Sequence, residues 1–268
     1  MSYYNLLSIM PRVTYDPDAL AFMTAAGLTD NTQKNALNSL VVNLKSNSLW
    51  TKMKAVYPFI GGSATAHKFN LLNPLDTNAA FRLNFIGGIT HSSNGILGDG
   101  INGASETYFT PNVGYSSQNN LGISAYSTLN NNTGNFTAGV YNSSGSNPIY
   151  LQNNYPSSIY AASNSGGGTS YSDTNTLGFY TVSRLSSTTG KIYKNGAFVN
   201  NSNATSAPLA DLTMAILAAK YIGGSPYINY SNRQLALFAI HDGLSDAEVA
   251  IFSTIVNNYQ TALSRNVY

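Results

Sequence analysis

Ile192-Tyr193-Lys194-Asn195-Gly196-Ala197-Phe198-Val199 decides the fold class. Two β-favouring runs flank Asn-Gly, the dipeptide that fills the φ > 0 positions of a type I′ turn, so the stretch predicts a tight hairpin. The same period of two recurs on either side of it. Phe81, Leu83 and Phe85 alternate with polar neighbours, as do Leu121, Ile123 and Ala125, and then Phe136, Ala138 and Val140. Thr176 to Arg184 and Arg233 to Ile240 read as strands buried on both faces. Short strands punctuated by Gly, Asn and Pro, from about 65 to 243, predict an antiparallel β-sandwich. The sequence shows no internal repeat.

Helical signals bracket this β region. Asp16-Pro17-Asp18 offers an N-cap followed by a proline suited to the first helical position, and Gly27 a stop. Thr29 or Asp30 caps a second helix with Leu37, Leu40, Val41 and Leu44 at helical spacing. Trp50, Met53 and Tyr57 are expected to continue that face, with Trp50 as a core anchor, until Pro58 and Gly61-Gly62 end it. At the other end, Ser245-Asp246-Ala247-Glu248 matches a capping box, with Leu244 and Val249 placed as a hydrophobic staple. Val249, Phe252, Val256, Tyr259 and Leu263 form one apolar stripe, so this helix should clip onto the sandwich or the N-terminal helices.

Composition narrows function. Only 9% of the 268 residues are charged, against roughly 25% in an average soluble protein. The 19 Tyr and 11 Phe argue for a folded chain, because disordered sequences are poor in aromatics. Between Arg82 and Arg184 there is no lysine or arginine, and the acidic residues there are Asp99, Glu106 and Asp173. Such a stretch lacks the cations that phosphate contacts require, which excludes nucleic acid as a partner. A net charge of +2 gives no steering toward polyanions or anionic membranes. The chain has no cysteine, so disulfides and thiolate metal sites are ruled out. The first ten residues lack a basic start, which argues against a secretory signal, and no apolar run of about 18 residues predicts membrane insertion.

Catalytic constellations find little material. The Glu-x-Asp-x-x-Glu strand used by glycosidases on related sandwiches is absent. Glu106 and Glu248 are the only glutamates, and Glu248 belongs to the helix cap. His67, His91 and His241 are unclustered in sequence, and no Gly-x-Ser-x-Gly elbow supports a Ser-His-Asp triad. His91-Ser92-Ser93 reads as a polar turn. The expectation is that the chain is not an enzyme. Asp99, Asn102 and Glu106 place three oxygen ligands in one Gly-rich loop that Ca²⁺ would tolerate, with Asx turns as the default reading; no other cofactor is implied. Tyr115, Tyr155, Tyr160, Tyr171 and Asp173 lie in turn-rich polar stretches and are the glycan-binding candidates, since sugar C–H faces stack on tyrosine while carboxylates take hydroxyls. The alternative is that these tyrosines cover loops or meet neighbouring subunits. Six Asn-x-Ser/Thr sequons, at Asn131, Asn135, Asn142, Asn200, Asn203 and Asn229, follow from an Asn-rich composition.

Two stretches resemble structural proteins of tailed bacteriophages: Leu49-Trp50-Thr51-Lys52-Met53-Lys54-Ala55-Val56-Tyr57-Pro58-Phe59-Ile60-Gly61-Gly62 with the following Ser63 to Asn70, and Tyr230 to Glu248. The second resembles the final strand and closing helix of their laminin-G-like (concanavalin A-like) domain. Gly98-Asp99-Gly100-Ile101-Asn102-Gly103, Tyr108-Phe109-Thr110-Pro111 and the Lys191 to Phe198 hairpin fall where that family places early and late strands. His241 stands where the family has Gly before Asp-Gly-Leu.

The resemblance implies a mainly β, antiparallel jelly-roll sandwich with N-terminal helices and a C-terminal closing helix. Residues 1–62 would be a helical anchoring or oligomerisation element, and residues 63–268 the laminin-G-like sandwich, ending in helix 245–264. It further implies a fibre, spike or decoration subunit in head or tail, assembled in the host cytoplasm and exposed on the virion surface. Such a subunit would be homo-oligomeric, frequently trimeric, touching other virion proteins and host surface glycans. A purely architectural decoration protein without ligand is the first alternative, and a glycan-active hydrolase the remote one.

Overall fold

The computed structural model describes residues 14–131, 135–154, 158–166, 168–222 and 226–268. Two sheets face each other. The first runs in the order β13 (Ala197–Ser202), β12 (Gly190–Lys194), β11 (Gly178–Arg184), β6 (Leu121–Ser127), β17 (Gln234–His241), β4 (Gly95–Gly98) and β3 (Ile89–Ser92), and β1 (Met53–Tyr57) also pairs with β17. The second runs β10 (Thr169–Ser172), β9 (Ser158–Ser163), β8 (Ile149–Asn154), β7 (Phe136–Val140), β14 (Ala215–Ile216), β5 (Ala104–Glu106) and β2 (Asn84–Ile86). Two short strands, β15 (Ala219–Lys220) and β16 (Tyr227–Ile228), pair with each other, and β15 runs parallel to β7. The antiparallel sandwich expected from the alternating pattern is what forms.

The predicted hairpin joins β12 to β13. Asn195 and Gly196 have φ of 52° and 83°, as a type I′ turn demands. The Asn195 side chain also accepts the Phe179 N–H at 2.8 Å, tying the turn to β11.

Helices α1 (Pro17–Ala25), α2 (Asn31–Ser46) and α5 (Asp246–Ala262) share a core with the outer face of the first sheet. Asp16 caps α1 and Asp30 caps α2. Ser245 and Glu248 close the capping box of α5. Val249, Phe252, Val256 and Tyr259 are buried beside Tyr126, Phe179 and Leu237 of the sheet. Each such side chain contributes roughly 1.5–3 kcal/mol by leaving water. The first sheet is therefore covered on both sides, which explains why β6 and β11 are buried at every position. A second core fills the space between the sheets, with Ile123, Val182 and Ile240 meeting Val140, Leu151 and Ile159.

Three local expectations fail. Met53–Tyr57 is a strand and does not extend α2, because pairing with β17 buries Met53, Ala55, Val56 and Tyr57 on both faces at once. Trp50 lies in a 3₁₀ turn before it, partly buried against the helix-side core, with the Lys45 ammonium 5.2 Å from its ring centre. Phe81 is not in a strand either: it ends a 3₁₀ turn at φ 57°, and pairing begins only at Asn84. His91 and Ser92 belong to β3 and do not form a turn.

Buried arginines stitch the layers through backbone carbonyls. Arg184 donates to the carbonyl oxygens of Ser163, Ser186 and Ala204. Arg265, just beyond α5, donates to those of Phe59, Ser93 and Ala236 and to the side chain of Gln260. Burial lowers the pKa of both guanidinium groups.

Candidate functional site

With helices on one side, the second sheet is left with an outer face of its own, and strict alternation populates it. Along β8, Ile149 and Leu151 enter the core between the sheets while Tyr150 and Gln152 point the other way; along β9, Ile159 and Ala161 point in, Tyr160 and Ala162 out. The register sets Tyr160 opposite Gln152, Ala162 opposite Tyr150, and Tyr150 opposite Gly139. Gly139 is needed there, because a Cβ would lie 2.9 Å from that of Tyr150 and 3.0 Å from that of Ala219.

The rings form one group. Tyr141 stacks on Tyr150 at 6.1 Å, Phe136 meets Tyr150 edge-on at 5.2 Å, and Tyr221 meets Tyr141 edge-on at 5.2 Å. Tyr141, Tyr160 and Tyr221 are partly exposed. Burial, then neighbouring tyrosines, raises the pKa of Tyr150 and Tyr141, so their hydroxyls stay protonated donors at neutral pH. Phe136 and Tyr150 are buried, so what the face offers is the three partly exposed rings of Tyr141, Tyr160 and Tyr221, which suit the C–H faces and hydroxyls of a saccharide.

Of the glycan candidates, Tyr160 stands on this face. Tyr115 does not: it follows the short helix α4 (Pro111–Gly114), is 4% exposed, packs edge-on against Phe109 and donates to the carbonyl of Gly122 at 2.9 Å. Tyr171 pairs with Ile159, so it points to the opposite side of the sheet from Tyr160. Asp173 is committed to Lys194 at 2.5 Å and to the Tyr180 hydroxyl at 3.0 Å. Tyr155 lies outside the described residues. Tyr141, Tyr150, Tyr221 and Gln152 were missed, although the alternation Ile149-Tyr150-Leu151-Gln152 carried the signal.

The calcium trio does not converge. One Asp99 carboxylate oxygen accepts the N–H groups of Ile101, Asn102 and Gly103 at 2.8–3.0 Å, an Asx-turn arrangement. The Asn102 side chain accepts the Gly88 N–H at 2.8 Å. Glu106 turns to the outer face of the second sheet, where Lys220 and the Tyr227 hydroxyl each reach it at 2.7 Å. Among the described residues no three His, Cys, Asp or Glu side chains gather as metal ligands.

The histidines do find partners. His241 Nδ1 lies 2.7 Å from the Asp242 carbonyl, which can only accept, so Nδ1 carries the proton and Nε2 accepts from Ser124 at 2.8 Å. Ser124 continues to Thr181 at 2.8 Å. This Ser–His contact is fully buried and faces Phe252 of α5. Burial pushes the His241 pKa down to about 4. His67, at the end of α3 (Ala64–His67), contacts His91 of β3.

No family model and no curated protein sequence matches the chain. Among solved structures it is similar to a mutant of Trypanosoma rangeli sialidase displaying trans-sialidase activity, with a TM-score of 0.53 and 11% identity over 87% of this chain and 39% of that one. Domain 4 of AbnA, a GH43 extracellular arabinanase from Geobacillus stearothermophilus in complex with arabinotriose, gives a TM-score of 0.46 and 12% identity over 75% of this chain and 98% of that one. The botulinum neurotoxin serotype D binding domain gives 0.47 and 12%, over 78% of this chain and 53% of that one. These neighbours correct one expectation. The carboxylate count led to the conclusion that the chain is not an enzyme, yet a chain sharing its sandwich is a sialidase mutant displaying trans-sialidase activity, so that exclusion is withdrawn. At such identities the likeness establishes architecture alone: a β-sandwich of two antiparallel sheets with few helices.

Proposed function

We propose that the protein binds neutral glycans through the outer face of the second sheet, as a lectin-like subunit of a bacteriophage virion. The observation that carries the reading is the set of partly exposed rings Tyr141, Tyr160 and Tyr221 on the outer side of the second sheet, backed by the buried rings of Phe136 and Tyr150. Partly exposed tyrosines on a rigid sheet supply stacking area at little cost in ordering, and their hydroxyls supply polar groups. The virion assignment is supported by the resemblance of Leu49 to Asn70 and Tyr230 to Glu248 to phage structural proteins. On the particle, the helical side would meet other copies or virion proteins.

A glycan array tests the binding. The wild-type protein should retain neutral oligosaccharides and Tyr160→Ala should lose them, while the two share one melting temperature. Retention unchanged by Tyr160→Ala and by Tyr221→Ala would overturn the assignment of the face. Reducing sugar released in the same incubations would add turnover to binding. Antibody labelling of phage particles in micrographs tests the virion role, and unlabelled particles would refute it.

A further inference from the structure

We propose that the Glu106–Lys220 ion pair keeps the tyrosine-bearing face electrically neutral and so restricts it to uncharged saccharides. This rests on the reading of that face as a glycan platform. Glu106, Ala215, Gly139 and Tyr150 are successive partners across β5, β14, β7 and β8. Three strand spacings separate the carboxylate position from the Tyr150 ring, about 14 Å, within reach of a short oligosaccharide.

Lys220 immediately precedes Tyr221 of the aromatic group, and its carbonyl accepts the N–H of Tyr141. Its ammonium is held 2.7 Å from Glu106 and lies 4.5 Å from the centre of the Tyr227 ring. The Tyr227 hydroxyl donates to the same Glu106 oxygen at 2.7 Å. The lysine side chain is 21% exposed and the glutamate 7%, so the carboxylate is the covered partner and the ammonium the one solvent reaches. Arg82, whose guanidinium lies 5.9 Å from the centre of the Tyr108 ring, is likewise answered by a carboxylate, Asp76 at 3.5 Å.

A cation at the rim of a stacking surface attracts anionic ligands, and a paired carboxylate cancels that attraction while repelling a uronate or sulfate brought beside it. Glu106 is thereby a specificity-determining residue. Its amide analogue keeps the shape and the acceptor for Tyr227 but leaves Lys220 uncompensated.

The test is electrophoresis through gels containing arabinan, β-glucan or polygalacturonate, with wild-type protein, Glu106→Gln and the double variant Glu106→Gln/Lys220→Met. Wild type should be retarded by a neutral polymer and not by polygalacturonate, with no change between about 0.05 and about 0.3 M salt. Glu106→Gln should gain about tenfold in affinity for polygalacturonate, a gain lost at the higher salt and in the double variant. Wild type binding polygalacturonate as well as a neutral polymer, or a folded Glu106→Gln without the gain, overturns the charge filter while leaving the platform standing. Wild type retarded by no polymer overturns the platform and the filter together. The salt response of wild type on its neutral polymer needs no variant, and a steep loss with salt also refutes the proposal.

Discussion

The Nδ1 atoms of His67 and His91 stand 3.0 Å apart, a contact that two imidazolium ions, both donors only, cannot share. Burial first, then His91, then Arg265 push the His67 pKa down to about 3, and burial lowers that of His91. Phe59 and Phe85 press on the two rings. A histidine depressed in the folded state binds its proton better when unfolded. Stability is therefore full above the ordinary value of 6.5 and falls as pH drops from there toward about 3. Thermal melts between about pH 7 and about pH 4 should show the midpoint sliding down, and His67→Met should flatten the slope. Buried His241 would supply the remainder.

Arg265 is 7% exposed and donates to carbonyls from the segment after β1, the residue just after β3 and β17 itself. Arg265→Met leaves those carbonyls without their donor and should cost about 2–4 kcal/mol in denaturant titration. Arg265→Lys should recover little, since a single ammonium cannot replace a planar fork.

Asp173 holds Lys194 and Tyr180 together where β11 and β12 meet. Asp173→Asn should lower stability by about 1–2 kcal/mol and leave saccharide binding unchanged. Loss of binding without loss of stability would return this residue to the ligand site.

Tyr115 and Tyr160 should separate cleanly. Tyr115→Ala empties a core position and should cost about 3–5 kcal/mol by chemical denaturation. Tyr160→Ala, on the open face, should cost under about 1 kcal/mol and show its effect in binding instead.

Much of the architecture was legible because its signals are local. Asn195-Gly196 specifies its turn whatever surrounds it, and Ser245 with Glu248 caps α5 using only neighbouring atoms. Met53–Tyr57 misled because apolar residues recur there at a spacing that suits a helix, and only the partner strand β17, far along the chain, makes it a strand. The site was harder to see. Tyr115 and Tyr160 sit in equally polar stretches, and what separates them is that one ring turns under Phe109 while the other lies on the outer side of β9. The committed Asp173 was invisible for the same reason: Lys194 reaches it from the neighbouring hairpin strand.

Helices cover one broad side of this molecule and tyrosines line the other. It therefore has a back and a front. On the proposed glycan-binding role, a copy fastened by its helices turns the partly exposed rings of Tyr141, Tyr160 and Tyr221 away from its anchor, and many copies fastened alike would turn a weak grip on single sugars into a strong one on a sugar-coated cell.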